Sequence, residues 1–593
     1  MLRSNVFVHL VSIMWRHSKG HRGRVVVYLS LSILAILVQL AIPLVMAQLM
    51  NNLQSLSGAA LASETKRLLL QYVGLGFLFW FLHGPSRVLE VGIAFKVKHA
   101  FQDWMMKRVT SLPMKWHKDH HSGSIIDGIA RAVYAMGEFC EGGFELLQMA
   151  TRFVGSIAML TWFAPGIGLG MLGIALLVAF VITLFDRYLV PKYEKLNARY
   201  TKVAAAIQDY LTNIGTVLSL RLEKRVVEEI STRTMANYDL YRGNNTVNEL
   251  KWFATSRLID VAQAAFLLYL ILSVPNGAKV GNVYAVSEYL KLLGEVFITF
   301  TWKYGRVVSQ STRVRGIQYI EDDYDRLIGQ SAAAELPEDW KELTIQGLRF
   351  QFEPAEGEEP RENDRPYAVD IEKLTLKRGV RYAVVGESGG GKSTFLTLLR
   401  GLNQPQEQPE VICDGEPLPY GLHHINHHTT LIPQHPEIFS DTIRFNVTVG
   451  IPCPDERVVE ALQTARLEKV LRRLPNGLET NIAEKGVNLS GGERQRLALA
   501  RGVFFEGEIH SALVLLDEPT SSVDSANEQK IYQNLLEQFS DRCVLSALHK
   551  FHLLSLFDEV MVFEEGKLTH AGPVEEYMSR LNPGDTLVRG DGE

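Results

Sequence analysis

The chain has 593 residues, 47% hydrophobic and 21% charged, with a formal net charge of -5 and an isoelectric point near 6.4. That length exceeds one ordinary domain, and with no dense Lys/Arg block the electrostatic footprint of a nucleic-acid binder is missing, so nucleic acid is excluded as a partner. The four cysteines, Cys140, Cys413, Cys453 and Cys543, form neither a CxxC pair nor a disulfide framework and read as buried thiols in a reducing compartment.

Apolar residues concentrate in the first half, and beyond about residue 335 the chain reads as an ordinary soluble mixture. The basic, acid-free N-terminus carries Val6, Phe7, Leu10, Val11 and Met14 at near-helical spacing, which predicts an amphipathic helix at a membrane surface ahead of a first span. A bilayer core takes about 20 apolar residues of helix. Val25 to Gln48 supplies one span and Leu68 to Ser86 a second. The uncharged run of 33 residues from Phe153 to Phe185 is too long for one span and is broken at Pro165-Gly166, which predicts a third span from near Phe144 and a fourth after a tight turn. Trp252 to Ser273 is the fifth and Asn282 to Tyr304 the sixth. Lys and Arg crowd the N-terminal flank and the segments after the second and fourth spans, which places both termini in the cytoplasm. Those two long segments read as helices projecting below the membrane.

The sixth span is unusual in carrying Glu288, Lys291 and Glu295 at i, i+3 and i+7, on one helical face. Charge at membrane depth faces a protein interior or a wet cavity, so these three are candidates for a polar substrate cavity, with a structural ion pair between Glu288 and Lys291 as the simpler alternative. "GLGMLG" at 168–173 has a dinucleotide-site spacing but follows no strand; Gly166 and Gly170 there instead suit close helix packing.

In the second half, a strand over Tyr382 to Val385 runs into Gly386, Glu387, Ser388, Gly389, Gly390, Gly391, Lys392, Ser393 and Thr394, then an apolar helix. This is a phosphate loop: backbone N–H groups close around phosphate oxygens, Lys392 reaches the β/γ-phosphates, and the Ser393 hydroxyl suits Mg²⁺. "ALVLLDEP" is a buried strand ending in Asp517, placed to hold Mg²⁺, and Glu518, placed to orient or deprotonate an attacking water.

With these motifs the chain resembles the ATP-binding cassette transporters. "NLSGGERQR" at 488–496 is similar to the family's signature, with Ser490, Gly491 and Gly492 opening a helix. Gln434 resembles the glutamine that senses Mg²⁺, "SSVD" at 521–524 the D-loop, and His549 the switch histidine. The aromatic that stacks on adenine falls on Phe352, ahead of an acidic, Pro-rich insertion at 353–366. Glu493 stands where Gln is commoner and Lys550 where Arg is usual. The first half resembles the membrane domain of the exporter branch, and 111–133 its first intracellular loop with a short coupling helix.

The expected fold is therefore a polytopic α-helical membrane domain of six transmembrane helices at 1–320, a linker at 321–342, and an α/β P-loop nucleotide-binding domain at 343–593. The resemblance implies ATP and Mg²⁺ as cofactors. It also implies a working unit of two such chains, a homodimer or a pair with a related half-transporter, in a bacterial inner (cell) membrane. Each ATP would lie between the phosphate loop of one chain and the signature of the other. It implies ATP-driven export or flipping of a small-molecule, lipid or peptide substrate across the bilayer, with an exporter-like importer or an ATP-gated channel or regulatory subunit as alternatives. Two histidine groups, His117, His120 and His121, and His423 to His428, lack the partners of a recognisable zinc site and read as surface helices.

Overall fold

The computed structural model describes residues 6–120, 122–272, 279–327, 335–352, 367–434, 437–482, 489–509 and 511–580. It divides into two compact units: Met1–Thr110 with Gly123–Glu321, and Ser111–Ser122 with Asp322–Glu593. The stretch Ser111–Ser122, inside the expected membrane domain, thus groups with the second unit.

Among the described residues, the regular structure of the first unit is all helix. Val6–His17 is the expected amphipathic helix, with Leu10 buried, and its Arg16 meets Glu321 at 3.0 Å. Among the described residues, five helical stretches are long and apolar enough to cross a membrane: Arg22–Ser55, Gly58–Ser111, Gly143–Phe163, Pro165–Thr212 and Glu223–Leu272. The break at Pro165 falls as expected, since Pro is accommodated at the first helical position, where no backbone donor is needed. Gly170 lies against the helix Tyr238–Leu272, where an added Cβ would fall 2.5 Å from the Phe266 ring, so a close approach of helices and not a nucleotide accounts for "GLGMLG".

The sixth expected span lies in the helix Val280–Arg315, which is not among the five. Its exposed positions carry Lys291 and Glu295 while Val286, Tyr289, Leu290 and Leu293 are buried. Apolarity averaged around the helix is therefore diluted by one charged face. The buried face is fixed in the bundle, with the Tyr289 hydroxyl donating to the Leu40 carbonyl at 2.7 Å.

Among the described residues, the second unit is built on a ten-stranded sheet. Its strands are β1 Glu342–Phe350, β2 Val369–Lys377, β3 Arg381–Gly386, β4 Glu410–Cys413, β5 Glu416–Leu418, β6 Thr429–Ile432, β7 Leu513–Asp517, β8 Cys543–Ala547, β9 Glu559–Glu564 and β10 Lys567–Pro573. The spatial order is β5-β4-β1-β2-β10-β9-β3-β8-β7-β6. The run β9-β3-β8-β7-β6 is parallel, and β5-β4-β1-β2 is antiparallel. Every residue of β7 and β8 is buried, as continuous apolar sequences in a doubly covered parallel sheet should be. Two apolar cores cover the sheet, one around Phe504, Leu516 and Tyr532, the other around Tyr382, Phe395 and Phe563. The four cysteines are free thiols, three of them buried.

Candidate functional site

Ligands of open parallel sheets bind beyond the carboxyl ends of the strands, and the register of this sheet brings the chemistry there. Asp517 pairs with Ala547 on β8, two residues before His549. Ile432 on β6 pairs with Leu516 on β7, so Gln434 and Glu518, each two residues further, emerge side by side. β3 ends at Gly386 beside Phe563 of β9.

Gly386 has φ +147°, and a Cβ there would meet the Phe563 carbonyl oxygen at 2.1 Å, so only glycine lets the loop leave the strand at this point. The loop then enters the helix Lys392–Leu399, presenting free N–H groups and the positive end of a helix dipole. Lys392 is buried and its ammonium donates to the carbonyls of Gly386 at 2.7 Å and Glu387 at 3.0 Å. Burial pushes its pKa down, while Glu518 and Asp517 push it back up. The Ser393 hydroxyl donates to Asp517 Oδ1 at 2.9 Å. These are hard oxygen donors of the kind Mg²⁺ takes, so this pair fits the metal that the loop implies.

Glu518 has φ +46°, a left-handed backbone that costs a non-glycine residue about 1–2 kcal/mol and that recurs at functional sites. Its carboxylate is held at both oxygens: Gln434 Nε2 donates to Oε2 at 2.7 Å, and His549 Nε2 pairs with Oε1. Four of the candidate residues, Gln434, Asp517, Glu518 and His549, thus converge beside the phosphate loop.

Ser490, Gly491 and Gly492 lie elsewhere in the unit's bonding pattern. Ser490 and Glu493 form a reciprocal capping box at the start of the helix Gly491–Ile509. The Ser490 N–H donates to Glu493 Oε2 at 2.8 Å and the Glu493 N–H donates to Ser490 Oγ at 3.3 Å. Burial alone would raise the Glu493 carboxyl, but the Ser490 bonds and Arg473, 2.6 Å away, hold it below its ordinary value. Glutamate at this position is therefore a working cap. Phe352 is 55% exposed with its ring edge-on to Phe350 at 4.9 Å, and the insertion at 353–366 lies outside the described residues.

Two residues not singled out from the sequence tie the site together. Gln495 donates to the Gln434 and Glu518 carbonyls, both at 3.3 Å, and to Ser521 Oγ at 3.0 Å, and it accepts from the Ser522 N–H at 2.9 Å. It sits inside the quoted "NLSGGERQR", so the signal lay within a motif already in view. Glu528, buried, accepts from Thr520 Oγ1 at 2.8 Å and from Lys550 Nζ at 2.9 Å. It joins the chain after Glu518 to the chain after His549, and Lys550 serves this contact although Arg is the commoner residue.

The histidine groups have structural partners. His424 Nδ1 donates to the Glu335 carbonyl at 2.7 Å, and the Leu336 N–H donates to His428 Nε2 at 3.3 Å, fixing the approach to β1. The His120 ring, just past the short helix Met114–Asp119, stacks on Trp116 at 4.2 Å, and the Trp116 indole N–H donates to Asp323 Oδ2 at 2.8 Å. His121 lies outside the described residues.

In the first unit, a cavity of about 1020 Å³ is lined by parts of five helices, with Asp186, Lys251, Trp252 and Trp302 among the lining residues. Glu288, Lys291 and Glu295 are not among its lining residues. Glu295 instead faces Arg152 at 3.6 Å, whose guanidinium also donates to Gln39 Oε1 at 3.0 Å. Among the described residues no ion pair joins Glu288 to Lys291. The cavity lies further along the same helix, where it is met by the residues from Asp186 to Ala204 and from Asn248 to Trp252.

Comparison with known proteins agrees with this geometry. Residues 370–521 match the ABC transporter family and residues 25–295 match the ABC transporter transmembrane region. The chain is similar to an ATP-dependent lipid A-core flippase of Chromobacterium violaceum, 26% identical over 79% of this chain and 78% of that one. It is also similar to a Staphylococcus aureus ATP-binding/permease protein assigned to multidrug export, 24% identical over 82% of each chain. Its fold matches that of a bacterial Atm1-family ABC exporter solved with ATP bound, with a TM-score of 0.74 and 21% identity, covering 94% of this chain and 96% of that one.

Proposed function

The chain belongs to the ABC transporters, a multi-span membrane protein with a fused ATP-hydrolysing unit, and from that premise we propose how its residues divide the work of ATP-driven export. The observation that carries the reading is the carboxylate of Glu518, set at the end of a buried parallel strand and held by Gln434 and His549. A carboxylate so placed is a general base for the water that attacks the γ-phosphate.

The phosphate loop, residues 386–394, takes the phosphates of ATP through its N–H groups and Lys392. Ser393 and Asp517, with Gln434 beside them, are the residues that would hold Mg²⁺, which supplies charge neutralisation at the β- and γ-oxygens. His549 and Gln434 hold the base before reaction, and Gln495 fixes the backbone on either side of it. Phe352, exposed two residues beyond β1, is assigned to stack on the adenine ring.

Among the described residues, Ser490, Gly491 and Gly492 have no hydrogen bond beyond their own cap and helix, and we assign them to the ATP of a second chain. Two copies then make two equivalent sites, each assembled from both, in a bacterial inner membrane with the termini in the cytoplasm. ATP-driven closure of the two nucleotide-binding units switches the side to which the membrane domain opens.

Inside-out proteoliposomes test this. The expected result is uphill accumulation of cargo that stops when ATP is withdrawn and scales with phosphate released. Accumulation in the opposite sense would make the chain an importer, and ion currents exceeding ATP turnover would make it a gated channel.

A further inference from the structure

We propose that the cavity of the first unit binds an amphipathic organic anion, a molecule with an apolar or aromatic body and a carboxylate or phosphate head. The inference rests on the exporter reading only in calling that molecule cargo.

Trp302, Arg306 and Arg313 follow one another on the helix Val280–Arg315 at i, i+4 and i+11 and therefore share one face. All three line the cavity, and all three are exposed. Across from Trp302 stands Trp252, the indole rings 5.4 Å apart, so one part of the cavity is an aromatic wall. Trp302 falls at the end of the expected span, and the two arginines lie one and three turns beyond it. The cavity is thus apolar at one level and cationic at the next, the pattern an amphipathic ligand matches.

The charges are not used up inside the protein. Lys251 meets Asp186 at 3.0 Å, and that pair is satisfied. Among the described residues neither Arg306 nor Arg313 has an ion-pair or side-chain hydrogen-bond partner, and one carboxylate, Glu194, remains in the lining. With the lining Arg131 paired to Asp127, the exposed guanidiniums of Arg306 and Arg313 outnumber the one remaining lining carboxylate, which leaves a surplus positive charge beside aromatic walls and attracts an anion. Arginine is also the residue that both stacks on aromatic rings and grips carboxylate or phosphate in two-point fashion. At about 1020 Å³ the recess is large enough for a drug-sized or lipid-sized molecule.

The test uses the full-length protein in phosphatidylcholine nanodiscs without nucleotide, so that its outcome is separate from that of the export assay. Binding of 1-pyrenebutyrate, 1-pyrenebutanol and 1-pyrenebutylamine is followed by saturable quenching of tryptophan emission. The acid is expected to bind at least tenfold more tightly than the alcohol or the amine, with a preference that shrinks as NaCl is raised. The doubly substituted Arg306→Gln/Arg313→Gln protein should lose the preference, and Arg306→Lys/Arg313→Lys should keep most of it. Arg225→Gln, on an exposed helix outside the cavity, should leave it unchanged. Competition by added phosphatidylglycerol would place the natural head group in the bilayer, and absence of competition would assign a soluble ligand; the shared anion chemistry stands in either case. Equal or tighter binding of the alcohol or amine, an acid preference insensitive to salt, or one that persists in a folded Gln/Gln variant would overturn the proposal.

Discussion

The nucleotide-binding unit and the helical unit keep their chemistry in different ways. In the first, the phosphate loop is nine consecutive residues, and Asp517 and Glu518 are adjacent, because a strand end followed by a turn is enough to aim them. In the second, the cavity draws on positions from Ser124 to Tyr319 contributed by separate helices, and no short stretch of sequence contains it. Local backbone geometry writes a site as a motif, whereas helix packing writes one as a scatter.

If that contrast is right, the largest effect on ATP affinity should come from a residue whose role is local. Lys392→Ala removes a charged donor from the phosphate loop, at a cost of about 1.5–3 kcal/mol, or roughly 10- to 150-fold in ATP affinity. Isothermal titration with a non-hydrolysable ATP analogue measures this, and unchanged affinity would separate the loop from nucleotide binding.

In the helical unit the corresponding test is one of packing. Gly170→Val forces a branched side chain into the Phe266 ring and should destabilise the helical unit by about 1–3 kcal/mol, seen as a lower unfolding midpoint in detergent with ATP affinity unchanged. A stability equal to that of the unsubstituted protein would show that the close approach at Gly170 is not required.

Gln495 blurs the contrast, since its hydrogen bonds join the signature helix to the strand ends. Gln495→Ala should lower kcat roughly tenfold, about 1.4 kcal/mol, with little change in KM for ATP. A change in KM alone would assign it to nucleotide binding instead of to the placement of Glu518.

The smallest effect concerns pH. The Glu493 carboxyl is held below its ordinary value of 4.5 in the folded chain. Its contribution is therefore present above the unfolded value and is lost as pH falls through the lower folded value. Glu493→Gln keeps a cap acceptor but removes the charge, so unfolding below about pH 4.5 should become less acid-sensitive, by about 1 kcal/mol or less. An unaltered acid profile would mean that the cap is held by Ser490 alone.

The sequence made the nucleotide-binding unit legible because its buried parallel strands are unbroken apolar runs and its turns are glycine-rich. It could not indicate that Gln434 and His549 would grip the two oxygens of one carboxylate, since that follows from the register of β6, β7 and β8. Gln495 and Glu528 were missed for the same reason: their partners are distant in the chain and meet only when the sheet forms. In the helical unit, the break at Pro165 and the amphipathic first helix were legible from local chemistry. The charges at 288, 291 and 295 drew attention because they are rare in an apolar setting, yet spacing along one helix does not say which neighbours cover it. Arg152 comes from a helix more than a hundred residues away, and Arg306 and Arg313 looked like ordinary cytoplasmic charge.

The central claim is that Glu518 is the base of ATP hydrolysis. Glu518→Gln keeps the shape of the side chain while removing the charge that accepts a proton. Parallel measurement of ATP binding and single-turnover hydrolysis should find affinity within about threefold of the unsubstituted chain, a difference below 1 kcal/mol. Cleavage should slow by roughly 10²- to 10⁴-fold. Hydrolysis at a comparable rate with ATP bound would contradict the account.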